Sequence, residues 1–142
     1  MSSTKVCVDA SFIVRLVTSN DPNSPYDSLW NQWQQSSCTV VAPTLIYYEI
    51  SNALYRYKIA GQITQQESEQ LLERALNLGL VIYGDAELHQ QALEIARRQN
   101  LSTTYDAHYL ALAERLGIEF WTVDLRLFNG VRSTLSWVNI VK

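Results

Sequence analysis

Short apolar runs rich in β-branched residues alternate along the chain with longer stretches in which apolar residues recur every three or four positions. The short runs have the length and composition of buried strands, and the longer stretches have the period of helices. The predicted strands cover Lys5 to Asp9, Cys38 to Ala42, Leu80 to Tyr83, Ile118 to Val123 and Trp137 to Val141. Strands that alternate with helices of about ten or more residues indicate a parallel sheet covered by helices.

Capping residues and glycine stops bound the predicted helices. Ser11 is placed to cap a helix over Phe12 to Val17, and Asp85 is placed to cap one over Ala86 to Gln99. Thr64 followed by Glu67 has the spacing of a capping box. Four further helices are predicted. One carries Leu29, Trp30 and Trp33 on a single face. The others extend over Pro43-Thr44 to Ile59, Thr64 to Leu78, and Ser102 or Thr103 to Leu116.

These elements predict an α/β fold with a central, mostly parallel five-stranded sheet and helices on both faces. The 142 residues fit one domain, residues 1–142. Hydrophobic residues make up 47% of the chain, enough for a sizeable core. No apolar run approaches the ~20 residues that span a bilayer, and residues 1–5 lead into a strand without a signal-peptide pattern. We therefore expect a cytoplasmic protein with no membrane association.

Four acidic residues occupy positions where strands end or helices begin. Asp9 and Asp124 each close an apolar run, Asp106 lies in a first helical turn, and Glu49 lies within a helix. Sites in open α/β sheets gather at the carboxyl ends of the strands, which is where Asp9 and Asp124 are expected. If all four converge, their hard oxygens form a pocket that a cation such as Mg²⁺ neutralises. The hypothesis is a metal-dependent hydrolase.

Each of the four acids also has an ordinary structural interpretation. Asp9 and Asp124 suit the turns that follow strands, and Asp106 complements the dipole of its helix. Glu49 has polar neighbours on its helix, Asn52 and Arg56, and a surface pairing with Arg56 is the alternative for it. The metal-site hypothesis depends on the four acids meeting at one rim.

Other chemical motifs are absent or weak. The two isolated cysteines, Cys7 and Cys38, form no zinc-binding pattern and no disulfide framework. No Ser/His/Asp triad or phosphate-binding glycine motif is evident. His108 is interpreted as a packing or partner contact and His89 as solvated. Tyr48, on the Glu49 face of its helix, is a weak candidate for stacking on a base.

The net charge of −3 argues at first against a nucleic-acid partner. Outside the four acids, however, ten Asp and Glu residues stand against eleven Lys and Arg. Arg15, Arg56 and Arg126 flank the segments that carry the acids, and they are the candidate contacts to RNA phosphates. The charge pattern therefore permits an RNA partner.

The motifs that carry these acids also resemble a known family. They are Val8-Asp9-Ala10-Ser11, Glu49 within its helix, Asp106-Ala107 followed by Tyr109-Leu110-Ala111-Leu112-Ala113, and Thr122-Val123-Asp124. In this order they resemble the PIN-domain family, most of all the single-domain VapC-type toxins of bacterial toxin–antitoxin pairs. The resemblance spans nearly the whole chain. It implies a PIN-like fold and a Mg²⁺- or Mn²⁺-dependent ribonuclease. It also implies an RNA substrate, a homodimer and a cognate antitoxin.

The resemblance also implies roles for particular residues. Asp9, Glu49, Asp106 and Asp124 match the family's acidic quartet, and Asp9, Asp106 and Asp124 are expected to hold the metal. Ser11 and Thr122 match the accompanying hydroxyls, and Asn52 and Asn129 are further supporting candidates. After Asp124, many relatives carry another acid or a polar run, whereas this chain reads Leu125-Arg126-Leu127-Phe128-Asn129. The number of metal ions, one or two, is therefore left open.

Other functional classes fit the sequence less well, with one exception. A receiver-type signalling domain needs adjacent acids after its first strand and a later lysine, but Asp9 is alone and no lysine lies between Lys58 and Lys142. An aspartyl-phosphate phosphatase needs an acid two residues after Asp9, where Ser11 stands. The alternative that remains is a PIN-like module that binds RNA or protein without catalysis.

Overall fold

The computed structural model describes residues 4–142 of the chain. Residues 1–3 lie outside the described part. The prediction that the chain begins without a signal peptide concerns this segment. The described residues form five strands and seven helices, with one or two helices between successive strands. In chain order these are β1 (Lys5–Val8), α1 (Ala10–Thr18), α2 (Pro25–Gln35), β2 (Thr39–Pro43), α3 (Leu45–Ile59), α4 (Gln65–Leu76), β3 (Val81–Tyr83), α5 (Ala86–Arg98), α6 (Tyr105–Leu116), β4 (Glu119–Thr122), α7 (Leu125–Val131) and β5 (Val138–Ile140).

The five strands form one sheet in the order β3-β2-β1-β4-β5. Every neighbouring pair is parallel, with Cys7 of β1 opposite Val41 on one side and Phe120 on the other. The predicted five-stranded α/β fold is confirmed. Because all the strands run the same way, their carboxyl ends share one edge of the sheet.

The strand order reverses direction once, between β1 and β4. From β1 the chain moves outward through β2 to β3, then returns through α5 and α6 to place β4 on the other side of β1. Right-handed crossovers put connections that run in opposite directions on opposite faces of the sheet. In agreement, α1 packs against α3 and α4, while α6 packs against α5 and three strands. The predicted helices on both faces are confirmed, and the carboxyl ends of β1 and β4 form the switch point where α/β sheets bind ligands.

A core of apolar residues fixes the two helical layers against the sheet. Cys7, Val8 and Phe120 in the central strands are fully buried, as are Ile50 of α3 and Leu110 of α6. Burial of an aliphatic or aromatic side chain of this size contributes about 1.5–3 kcal/mol each. The core therefore fixes the N-terminal turns of α3 and α6 relative to the carboxyl edge of the sheet. Within residues 4–142, no helix combines the length and apolarity that crossing a bilayer requires.

Three helix starts differ from the sequence prediction. The cap of α1 is Asp9, whose carboxylate accepts a hydrogen bond from the Phe12 N–H, so the prediction that Ser11 caps this helix is wrong. Helix α6 begins at Tyr105, later than predicted, and Thr104 before it makes no side-chain cap. Helix α7 is absent from the prediction. It is short and contains Asn129-Gly130, a typical turn pair, but Asp124 caps it. The predicted caps at Asp85 and at Thr64 with Glu67 are confirmed.

Candidate functional site

Asp9 is an acidic side chain buried at the carboxyl end of β1. It is only 4% exposed. Its Oδ1 accepts hydrogen bonds from the Ser11 hydroxyl at 2.6 Å and the Phe12 N–H at 3.1 Å, and its Oδ2 accepts one from the Thr122 hydroxyl at 2.5 Å. Three donors on one carboxylate fix its rotamer. Asp9 is therefore held rigidly where β1 meets the first turn of α1.

The hydroxyls of Ser11 and Thr122 connect the ends of β1 and β4. Each hydroxyl has one hydrogen and donates it to Asp9, so each uses a lone pair for its other contact. Ser11 Oγ accepts the Val123 N–H at 3.3 Å, and Thr122 Oγ1 accepts the Asp124 N–H at 3.0 Å. These contacts set the position of the turn that carries Asp124. Both predicted hydroxyls therefore lie beside Asp9, between it and the next acid.

Asp124 is the exposed member of the acidic set. Its Oδ1 accepts the Leu127 N–H at 3.1 Å, which caps α7 and orients the carboxylate. Among residues 4–142, no hydrogen bond engages its Oδ2. One oxygen of Asp124 is therefore available at the rim of the sheet.

Asp106 and Glu49 approach the same rim from opposite faces of the sheet. Asp106 lies half-buried in the first turn of α6, and Glu49 lies half-buried in α3. Glu49 Oε1 accepts a hydrogen bond from the Tyr109 hydroxyl at 2.5 Å, which links α3 to α6. This bond joins residues that are far apart in the sequence. It also replaces the alternative interpretation in which Glu49 pairs with Arg56.

Burial and, to a smaller extent, neighbouring negative charge raise the pKa values of two of the acids. Burial raises the pKa of Asp9 from 3.8 to about 6; its hydrogen bonds oppose the rise and the charge of Asp106 adds to it. Burial, and then the charges of Asp124 and Glu49, raise the pKa of Asp106 to about 6. An acid pKa rises when its anion is desolvated or lies near another anion. Asp106 therefore interacts electrostatically with each of the other three acids.

Tyr109 is a site residue that the sequence interpretation missed. Its ring is fully buried, and burial together with the neighbouring Glu49 carboxylate raises the pKa of its hydroxyl well above the ordinary value. The hydroxyl therefore remains protonated and donates to Glu49. The spacing in the sequence could have identified Tyr109 as a site residue. It follows Asp106 by three positions, and residues at this spacing share one face of a helix.

Replacing Tyr109 with Phe is expected to lower the free energy of unfolding by about 1.5–3 kcal/mol. A hydrogen bond to a charged group has this net value, and the variant leaves Glu49 Oε1 without its donor. Urea unfolding at neutral pH measures the change. Tyr47→Phe on α3 is the matched control, because Tyr47 is half-buried but makes no such bond. Equal stability of the two variants would show that the Tyr109–Glu49 bond is not stabilising.

Two cavities flank Asp124 on either side. One, of about 260 Å³, is lined by Asp106, Asp124 and Arg126 together with a loop before α6. The other, of about 380 Å³, is lined by Ser11, Arg15 and Asp124. Each cavity thus combines the shared acid with one arginine. Arg126 and Arg15 therefore line separate cavities that both include Asp124.

Other sequence candidates lie away from these cavities. Asn52 and Arg56 are exposed on α3, and Asn129 is exposed on α7; none of the three lines either cavity. His89 is exposed, in agreement with the prediction that it is solvated, and its Nδ1 also lies 2.9 Å from His108 Nε2. The packing contact predicted for His108 is thus made with another histidine.

The donor chemistry of the acidic site suits a hard divalent cation. Within residues 4–142, no group of three or more His, Cys, Asp or Glu side chains is arranged to hold a metal ion. Carboxylate oxygens are nevertheless the ligands that Mg²⁺ and Mn²⁺ prefer. Burial, and then the charges of neighbouring acids, raise the pKa values of Asp9 and Asp106, and a bound cation offsets the cost of ionising them. The oxygen atoms of these residues therefore suit such an ion. Among residues 4–142, the side chains would have to rotate before they could bind it together.

Sequence comparison gives two findings. The family profile described as PIN domain matches residues 6–132, which is most of the chain. A curated relative, Ribonuclease VapC3 of Pyrobaculum aerophilum, is 29% identical over 125 residues, covering 87% of this chain and 92% of the relative. The residues that the profile matches include all four acids.

Solved structures resemble this fold over nearly their full length. VapBC2 from Rickettsia felis, bound to a DNA fragment from their promoter, matches with a TM-score of 0.72 at 11% identity, covering 98% of this chain and 100% of that one. A toxin-antitoxin complex from Klebsiella pneumoniae matches with a TM-score of 0.63 at 14% identity, covering 94% of both chains. At these identities the likeness concerns the fold. Together with the profile match, it shows that the chain belongs to the PIN-domain family.

Proposed function

We propose that this protein is a metal-dependent endoribonuclease, the toxin of a toxin–antitoxin pair, that hydrolyses RNA phosphodiester bonds. One observation carries the proposal: a buried Asp9, held by three hydrogen bonds at the switch point of the sheet, together with Asp106, which interacts electrostatically with Asp9 and with two further acids. Such a concentration of carboxylates is costly without a cation. The name of the curated relative, Ribonuclease VapC3, supports the ribonuclease activity, and the similar toxin-antitoxin complex from Klebsiella pneumoniae supports the role of a toxin.

In this proposal, Asp9, Asp106 and Asp124 hold Mg²⁺ or Mn²⁺. When bound, such an ion polarises the phosphodiester and lowers the pKa of a water. Because three hydrogen bonds fix Asp9, it anchors the site while Asp106 and Asp124 turn toward it. Asp124 has an oxygen available for this role.

Glu49 acts as a further ligand or as the base that positions the attacking water. Tyr109 donates to its Oε1, which leaves Oε2 as the oxygen for this role. Ser11 and Thr122 keep the Asp9 carboxylate in place. Arg126 and Arg15, on either side of Asp124, contact the RNA phosphates that flank the cleaved bond. Hydrolysis would form a bond from the water oxygen to phosphorus and break the bond from phosphorus to the leaving oxygen, and Glu49, as the base, would take the proton of the water.

The proposal includes the partners that the sequence resemblance implies. These are a cognate antitoxin that holds the protein inactive and a second copy that forms a homodimer. The similar toxin-antitoxin complex from Klebsiella pneumoniae supports the antitoxin. A cytoplasmic location remains a prediction from the sequence.

Calorimetric titration with Mn²⁺ separates the enzyme from the non-catalytic alternative. We expect the wild-type protein to bind Mn²⁺ and Asp124→Asn to bind it at least about tenfold more weakly, since even indirect metal-site changes have effects of this size. Asn is also a good helix cap, so α7 is preserved. The matched control is Asp21→Asn, an exposed turn acid that undergoes the same change of charge.

The same samples are then tested against a panel of structured RNAs with Mg²⁺ or Mn²⁺ and with EDTA. Cleavage that requires the metal and is retained in Asp21→Asn supports the proposal. Absence of Mn²⁺ binding together with absence of cleavage would instead identify a binding module.

A further inference from the structure

A third cavity, of about 210 Å³, lies at the carboxyl ends of β2 and β3, beside the acidic site. The first turns of α3, α5 and α6 surround it. We call it the tyrosine pocket, lined by Pro43, Thr44, Leu45, Tyr48, Gly84, Leu88, His89, Tyr105 and His108. None of these residues has a role in the proposed hydrolysis.

The tyrosine pocket and the acidic site are joined by two pairs of consecutive residues. Tyr48 precedes Glu49 in α3, and Tyr105 precedes Asp106 in α6. Consecutive helical side chains diverge by about 100°. Each helix therefore turns an acid toward the site at β1 and β4 and a tyrosine toward the neighbouring pocket. A ligand at the acids lies next to both tyrosine rings.

The two rings are exposed to an unusual degree for their size. Tyr48 is 74% exposed and Tyr105 is 60% exposed. Within residues 4–142, neither ring pairs with another aromatic ring, whereas the buried aromatic residues of the core do so. Both rings are therefore accessible to a planar ligand.

Two histidines give the tyrosine pocket a polar wall. His108 Nδ1 lies 2.6 Å from the Thr104 carbonyl, which only accepts, so this nitrogen carries the hydrogen. In neutral His108, Nε2 then accepts from His89 Nδ1–H at 2.9 Å. Neutral His89 is left with Nε2 as an acceptor. A mostly apolar cavity with one oriented acceptor is typical of a site that binds a flat heterocycle.

Close backbone packing defines the other side of the tyrosine pocket. The Thr44 N–H donates to the Tyr83 carbonyl at 2.9 Å, which ties the start of α3 to the end of β3. A Cβ on Gly84 would lie 2.7 Å from Thr44 Cγ2, so a larger residue here would require the Thr44 side chain to shift. The pocket is therefore formed by packed structure rather than by side chains alone.

We propose that the tyrosine pocket binds a nucleobase of single-stranded RNA, one next to the phosphodiester held at the acids. The inference rests on the proposed ribonuclease function and adds a base-binding subsite to it. Proteins recognise unpaired RNA bases by stacking them on aromatic rings and by hydrogen-bonding their edges. Tyr48 and Tyr105 supply the stacking surfaces, and His89 Nε2 accepts a base N–H.

Binding of a labelled single-stranded oligoribonucleotide, measured by fluorescence anisotropy in EDTA, tests the proposal without requiring cleavage. We expect Tyr48→Ala and Tyr105→Ala each to weaken binding about tenfold, the effect of losing one stacked base. The matched control is Tyr55→Ala. Tyr55 is also on α3 and 59% exposed, but it does not line the tyrosine pocket. The control should bind like wild type.

An abasic oligonucleotide of the same length and backbone is the second probe. Wild type should bind it about tenfold more weakly than the base-containing RNA, and Tyr48→Ala should bind the two equally. Equal binding of base-containing RNA by wild type, Tyr48→Ala and Tyr105→Ala would overturn the proposal. Tyr48 and Tyr55 share one face of α3, because they are seven positions apart. If both Tyr48→Ala and Tyr55→Ala lost self-association while RNA binding was unchanged, this face would contact another copy of the protein, and the proposal would be overturned.

The experiments distinguish an error in the base-binding proposal from an error in the nuclease proposal. If wild type and Tyr48→Ala cleave RNA equally well with metal, the base subsite is wrong and the nuclease proposal stands. If wild type neither cleaves nor binds RNA, the nuclease proposal fails and the subsite fails with it.

Discussion

Replacing Asp9 with Asn is expected to reduce metal-dependent RNA cleavage by about 10³-fold or more while leaving the fold intact. In the proposed site, Asp9 is the ligand that three hydrogen bonds hold in place. A metal ion contributes several kcal/mol to stabilising a transition state, and about 4 kcal/mol corresponds to 10³-fold. The Asn side chain has nearly the same shape and still accepts from the Phe12 N–H, so α1 keeps its cap.

Cleavage rates of the Asp9→Asn and Asp21→Asn proteins, measured at saturating Mg²⁺, test this expectation. Circular dichroism and urea unfolding establish that both variants fold. The two substitutions remove one negative charge each, but Asp21 lies in the exposed turn between α1 and α2. Activity of Asp9→Asn within tenfold of Asp21→Asn would contradict the assignment of Asp9 as a ligand.

Without metal, the folded protein is expected to lose stability as the pH rises from about 4 to 7. The folded-state pKa of Asp9 is about 6, above its ordinary value of 3.8. The native state therefore holds this proton more tightly than the unfolded state does. The resulting stabilisation is fully present below pH 3.8 and is lost as the pH rises through about 6. For Asp9 alone, the difference amounts to about 3 kcal/mol at 1.36 kcal/mol per pKa unit.

Asp106 also makes the folded protein less stable as the pH rises, because its folded-state pKa is also about 6. Its share is smaller than that of Asp9, since it is half-buried and water screens its charge. A divalent cation bound at the site favours the ionised carboxylates and therefore opposes this loss of stability. In Mg²⁺, the stability at pH 7 should therefore be closer to that at pH 4.

Urea unfolding between pH 4 and pH 8, in EDTA and in Mg²⁺, measures these effects. Asp9→Asn cannot ionise at this position, so its stability in EDTA should depend less on pH than that of wild type. At pH 7 the variant should be at least as stable as wild type, although it is inactive. Identical pH dependence of the two proteins would show that Asp9 keeps an ordinary pKa in the folded state.

Local signals in the sequence were sufficient for most of the fold. Apolar periodicity gave the strands and most helices, and the caps at Asp85 and Thr64 were read correctly. The misassigned cap at Ser11 has a physical reason: an Asp that ends a strand is itself a strong helix cap, and its carboxylate accepts the N–H three residues later. Helix α7 was missed because its cap, Asp124, was read only as a turn residue or a ligand, and Asn129-Gly130 reads as a turn.

The sequence by itself determined the alternation of strands and helices and the acids at the ends of β1 and β4, because periodicity and capping are short-range properties. Only the tertiary structure decided that Tyr109 bonds to Glu49, that His89 meets His108, and that Tyr48 and Tyr105 share one pocket. These contacts join helices from different parts of the chain. Their geometry depends on how the crossovers pack α3, α5 and α6 around one edge of the sheet, which no local pattern encodes.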